Sequence, residues 1–116
     1  MAQSNQSLTN NFSSQQIVCI DASQQRLYGS VIQYIETQCN YWIRPLCLVE
    51  NVADNPSIIS LHRTSDLIIA RDKLREALDT EVLEFWTTLY DESGAYEDNV
   101  EGRAKLHRFL RQMNHA

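Results

Sequence analysis

The run Tyr41-Trp42-Ile43-Arg44-Pro45-Leu46-Cys47-Leu48-Val49-Glu50 is the densest apolar stretch in the chain, and turn-forming residues bound it on both sides. Aromatic and branched residues at this density suit a buried, pleated strand. Side chains alternate along a strand, so the spacing predicts Ile43, Cys47 and Val49 on one face and Trp42, Leu46 and Leu48 on the other. Both faces then need cover. Pro45 restricts the pairing, because it has no N–H to give a neighbour and belongs at an edge or a bulge. A bulge bends the strand, which is how a short sheet curls towards a small barrel. Arg44 is a charge within the run, with a stem that packs and a head that reaches water.

Upstream, the short β-branched segment Ile17-Val18-Cys19-Ile20 ends in Asp21-Ala22-Ser23 and reads as an edge strand. Leu27 to Ile35 fits a helical stripe through Leu27, Tyr28, Val31, Ile32 and Ile35 as well as a strand. Gly29 and the β-formers Val31, Ile32, Tyr34 and Ile35 favour the strand, with Glu36-Thr37-Gln38-Cys39-Asn40 as the turn into the central run. Downstream, the turn at Asn51 to Pro56 leads to strands at Ile58–His62 and Asp66–Ala70, joined through Arg63-Thr64-Ser65.

At Arg71 the rhythm changes. Leu74, Leu78, Val82, Phe85 and Leu89 recur at helical spacing, flanked by Ala77 and Trp86. Asp79-Thr80 favours a cap and divides this stretch into two helices, the second running to about Tyr90. A last helix spans about Val100 to Met113, with Leu106, Phe109, Leu110 and Met113 on one face. The expected fold is therefore α+β: a small curved antiparallel sheet or barrel of about five short strands over residues 17–70, followed by two to three C-terminal helices over 71–90 and 100–113. Residues 1–16, rich in Ser, Asn and Gln, read as a disordered tail, and 17–116 as a single globular domain.

A net charge of −5 weighs against nucleic acid as the principal partner, since phosphate binding needs the opposite field. No apolar run approaches the roughly 20 residues of a membrane helix, and the start lacks the basic and apolar blocks of a secretory signal. A cytoplasmic protein without membrane insertion is expected. Cys19, Cys39 and Cys47 have neither zinc nor redox spacing and read as small apolar groups, with Cys39 the one suited to bridging two chains. His62, His107 and His115 do not pair at ligand spacing, and Gly29, Gly94 and Gly102 form no phosphate loop. The stretch Asp91 to Gly102 fails as a calcium loop, with Tyr96 where glycine is needed and Gly102 where glutamate is needed. Asp66 reads either as a catalytic carboxylate of raised pKa or, more simply, as a turn cap. No catalytic, metal or cofactor constellation emerges.

At Trp42-Ile43-Arg44-Pro45-Leu46, with Ser65-Asp66-Leu67 and Ala77-Leu78-Asp79-Thr80-Glu81-Val82, the chain resembles small conserved cyanobacterial proteins of unassigned function. The likeness covers about residues 26–90. It implies a bacterial cytoplasm and a free-standing domain, and it implies no catalytic residue.

The function expected from these residues is that of a non-enzymatic regulatory or adaptor protein acting through another protein, as a monomer or homodimer. Aromatics with arginines nearby are what interface centres use. The candidate surface is Tyr41, Trp42, Arg44, Arg63, Arg71, Arg75, Trp86, Tyr90, Arg103 and Arg108. The basic last helix would meet an acidic partner. One alternative is a single-stranded nucleic-acid-binding small barrel, with Arg63, Arg71, Lys73 and Arg75 on its rim and Tyr41 and Trp42 as stacking surfaces. Against it, Asp66, Asp72, Glu76 and Asp79 interleave with those bases. Another is a small-ligand-binding domain with a pocket between sheet and helix.

Overall fold

In the computed structural model, which describes residues 12–85, 87 and 98–115, six strands form one antiparallel sheet. They are β1 Ile17–Ala22, β2 Gln25–Ile35, β3 Asn40–Glu50, β4 Ser57–Ser60, β5 Leu67–Ala70 and β6 Arg75–Glu76. The helices are α1 Asp79–Glu84 and α2 Val100–His115. The apolar run is the central strand. β3 pairs β2 along one side, while its other side takes β5 on Asn40–Ile43 and β4 on Cys47–Glu50. The strand path β4-β3-β2-β1-β6 stays open, so the sheet is bent but is not a barrel.

Pro45 lies in the gap where β5 has ended and β4 has not begun. There the register steps from Gly29 opposite Pro45 to Tyr28 opposite Cys47, leaving Leu46 as the extra residue of a bulge. An extra residue reverses the alternation beyond it. Tyr41 and Ile43 therefore share a core cluster with Leu48, while Leu46, Cys47 and Val49 belong to the cluster on the opposite face. The expectation that Ile43 sides with Cys47 and Val49, and Leu48 with Trp42, is corrected by that single inserted residue. A second register shift between Val31 and Gln33 does the same on β2, bringing Tyr34 to the face of Val31.

The two clusters lie on opposite faces of the sheet, because their members alternate along the strands: Cys19 between Val18 and Ile20, Tyr28 after Leu27, Val49 after Leu48. The first face is covered by α2, whose Leu106 and Phe109 are fully buried and whose Leu110 and Met113 pack at its margin. The second is covered at one end by Val82 and Phe85, at and just beyond α1, with Ala77 beneath them.

Two expectations about extent change. The helix expected from Arg71 does not form there. Arg71–Lys73 is one 3-10 turn, and β6 pairs β1 through Val18–Glu76 and Cys19–Arg75. The stripe divides accordingly, with Leu74 against the first face, Val82 and Phe85 against the second, and Leu78 59% exposed. Residues 12–16, placed in the tail by composition, dock on the sheet. Phe12 packs edge-on to Tyr41, the Gln15 N–H donates to the Val31 carbonyl at 2.6 Å, and the Val31 N–H donates to that of Gln16 at 3.0 Å. Among the described residues no helix is long and apolar enough to cross a membrane.

Candidate interaction surface

Trp42 and Arg44, two apart on β3, project from the second face at the end away from α1. Antiparallel register sets Ile68 of β5 beside Trp42 on one side and Gln33 of β2 on the other. Asp66, two residues before Ile68, reaches both β3 side chains. Trp42 Nε1–H donates to Asp66 Oδ2 at 2.9 Å, and Arg44 donates through Nε to Oδ1 at 3.2 Å and through Nη2 to Oδ2 at 3.3 Å. The Arg44 guanidinium, aided by the indole N–H, holds the Asp66 carboxyl below its usual range. A proton-donating acid of raised pKa is thus not what Asp66 offers. It ties an aromatic and a cation together on this part of the sheet.

β5 itself is a second feature of this region. Its four residues, Leu67-Ile68-Ile69-Ala70, carry no charge and no proline. Ile69 is buried in the core, whereas Ile68 is 52% exposed. Among the described residues no strand pairs the edge of β5 that faces away from β3. Edge strands ordinarily carry lysine, proline or a bulge that discourages further pairing.

The other expected surface residues are dispersed. Tyr41 is 1% exposed, with its hydroxyl accepting the Phe12 N–H at 2.9 Å and its ring against Phe12 and Tyr34, so it belongs to the core. Arg71 is half-buried, and its backbone N–H donates to the Cys39 carbonyl at 3.1 Å. Arg103 pairs with Asp98 at the start of α2, and Arg108 is exposed on α2 beside His107 and Arg111. Trp86 and Tyr90 lie outside the described residues. Arg63 is on the loop between β4 and β5, near Arg44.

Arg75 is drawn into a clasp that joins α1 to the sheet. It bonds Asp21 Oδ2 through Nε at 2.6 Å and Glu81 through Nη1 and Nη2 at 2.8 and 3.0 Å. Glu81 also accepts the Tyr28 hydroxyl at 2.6 Å and the Leu78 N–H at 2.8 Å. Arg75 foremost, with the other two donors, pushes the Glu81 carboxyl down to about 2. Burial raises the Tyr28 hydroxyl, which stays protonated and donates. Arg26 completes the cluster at 3.0 Å from Asp21.

No family model, no curated protein and no solved structure matches the chain. Cys19 and Cys47 are buried, with thiols pushed up to about 12 mainly by burial, which removes them as nucleophiles. Among the described residues no three His, Cys, Asp or Glu side chains converge on a metal position. Two residues that matter here went unremarked in the sequence. Ile68 was hidden because its exposure depends on pairing register. Asn99 carried a signal, since an Asn directly before a helical stripe is an N-cap pattern.

Proposed function

We propose that this protein is a non-enzymatic adaptor that binds an extended segment of another protein by strand addition along β5. Trp42 and Ile68 are the apolar anchors beside the added strand. The observation that carries this reading is the uncharged edge of β5, which no strand pairs among the described residues, next to a partly exposed tryptophan whose indole is held by Asp66. In strand addition, main-chain hydrogen bonds supply affinity and alternate side chains supply specificity. The nucleic-acid reading has less support, because Tyr41 and Trp42 occupy opposite faces and Arg75 is neutralised by two carboxylates. A ligand pocket between sheet and helix also has little support, as Ile43, Leu48, Leu106 and Phe109 fill that interface.

Ile68→Lys tests the reading. The site is exposed, so the substitution should alter stability by no more than about 0.5 kcal/mol, while a charge and long side chain at the edge oppose pairing. Affinity purification with the wild-type chain should retain a stoichiometric partner that protects β5 amides from hydrogen exchange and is lost with Ile68→Lys. A partner held equally by both chains, or none held by the wild type, rejects strand addition at β5.

A further inference from the structure

β4 pairs β3 along one side only, and among the described residues no strand pairs its other side. Just past β4, the Leu61 N–H donates to the Leu46 carbonyl at 2.9 Å. Bonded and non-bonded pairs alternate along an antiparallel ladder, so Ser57 and Ile59 turn their main-chain groups to β3 while Ile58 and Ser60 turn theirs outward. The Ser60 carbonyl accordingly accepts Asn99 Nδ2 at 3.0 Å. Ile58 keeps an outward N–H and carbonyl, and its side chain is 38% exposed.

Alongside this edge runs a groove of about 450 Å³, with Glu50, Ser57 and Ile59 on the sheet side and Asn99, Glu101 and Lys105 on the side of α2. Glu50 is already engaged, accepting Lys105 Nζ and Gln25 Nε2, each at 3.2 Å. Glu101 is exposed, and the cations nearest it on α2, Arg103 and Lys105, pair with Asp98 and Glu50 instead. The helix start does not use Glu101 as its cap either, because Asn99 Oδ1 accepts the Gly102 N–H at 3.0 Å. The lining therefore holds two carboxylates and one ammonium. All ten lysines and arginines of the chain lie among the described residues, so no further basic side chain lines the groove.

We propose that this groove takes an extended basic segment of a partner protein, paired to the outward groups of Ile58, with lysine or arginine side chains turned towards Glu101 and Glu50. Side chains alternate along an added strand, so every second one enters the groove beside α2 and the others pass beside Ile58. The excess negative charge favours basic segments and rejects acidic ones. The site is independent of strand addition on β5, which flanks the other half of β3 and carries no charge.

The test titrates the 15N-labelled full chain with a short capped peptide alternating valine and lysine, and separately with its valine and glutamate counterpart, at one fixed ionic strength. The lysine peptide should give saturable shifts at the Ile58 and Ser60 amides and slow hydrogen exchange at Ile58 about tenfold, as a newly bonded edge amide requires. The glutamate peptide should give neither. Glu101→Gln should weaken binding of the lysine peptide about threefold, the size of a partly exposed ion pair, and Glu101→Lys should reverse the preference between the peptides. Ile68→Lys on β5 and Arg108→Gln on α2 should leave both results unchanged. Equal binding of the two peptides, saturation without protection of Ile58, or a preference that Glu101→Lys does not reverse overturns the proposal. Protection of Ile58 that rises with protein concentration before any peptide is added also overturns it, and assigns the edge to a second copy of the chain.

Discussion

Asn99 ties together two parts of the fold that are far apart in sequence. Its oxygen caps α2 and its amide hydrogens satisfy two loop carbonyls. Loss of an N-cap costs about 1 kcal/mol, and carbonyls left without a donor add to that. Asn99→Ala should therefore lower stability by about 2–3 kcal/mol in urea unfolding. Gly102 explains itself by the same contact, since a Cβ there would lie 2.7 Å from Asn99 Cγ and 2.8 Å from Oδ1. A paired experiment follows from this geometry. Gly102→Ala should destabilise the wild type, yet stabilise the Asn99→Ala protein by roughly 0.5–1 kcal/mol, because alanine is the better helix former once the obstruction is gone. Equal effects in both backgrounds would refute the contact. Gly29 is constrained likewise by space: an added Cβ would meet Ile43 Cγ2 at 2.5 Å and the Arg44 carbonyl oxygen at 3.1 Å. Gly29→Ala should cost about 1–3 kcal/mol. Sequence alone flagged Gly29 only as unfavourable to a helix, because the close approach depends on a bulge in another strand.

Among the elements, strands were the most legible. β1 to β5 follow from alternation and turn chemistry, and the bulge follows from Pro45. What escaped was the consequence of the bulge, since one unpaired residue exchanges the faces of everything beyond it. The region after Arg71 was misread for another reason. Leu74, Leu78, Val82 and Phe85 have helical spacing, but a strand position on β1 was free to pair β6, and tertiary pairing overrode the local rhythm. α1 begins at Asp79, within the expected break, but its N-cap is Leu78, so Asp79 and Thr80 lie inside the helix and do not cap it. This short helix depends on its clasp for docking, which makes it sensitive to acid. Asp21 and Glu81 both have carboxyls held below their ordinary values in the folded protein. Such groups stabilise the fold at pH above the ordinary value, and the contribution is lost as pH falls. For Glu81 the window runs from 4.5 down to about 2. With partial exposure reducing its worth, the contribution is about 1–2 kcal/mol. Urea midpoints should decline through this window in the wild type and decline less in Glu81→Gln. An identical acid slope in both proteins would remove Glu81 from the account.

At the scale of the whole molecule, one sheet separates two cores that share strands but, among the described residues, no covering helix. α2 closes the first face, while α1 and the Arg75–Glu81 clasp close the second. Loosening α1 should therefore open one side without unfolding the other, a subglobal opening of the kind hydrogen exchange detects. Cysteine placement supplies a direct readout, because Cys19 and Cys47 are both buried in the second cluster and Cys39 is exposed. In a Cys39→Ser background at pH 8, iodoacetamide should label the two remaining thiols only through opening of that face. Glu81→Gln should speed their labelling about tenfold, the equivalent of roughly 1.4 kcal/mol, while exchange at the α2 amides and at the β2–β3 pairing stays unchanged. If α2 exchange rises by the same factor, the two cores open as one, and the sheet does not insulate them. If labelling is unaffected, the clasp does not hold α1 down, and burial of Val82 and Phe85 alone keeps that face closed.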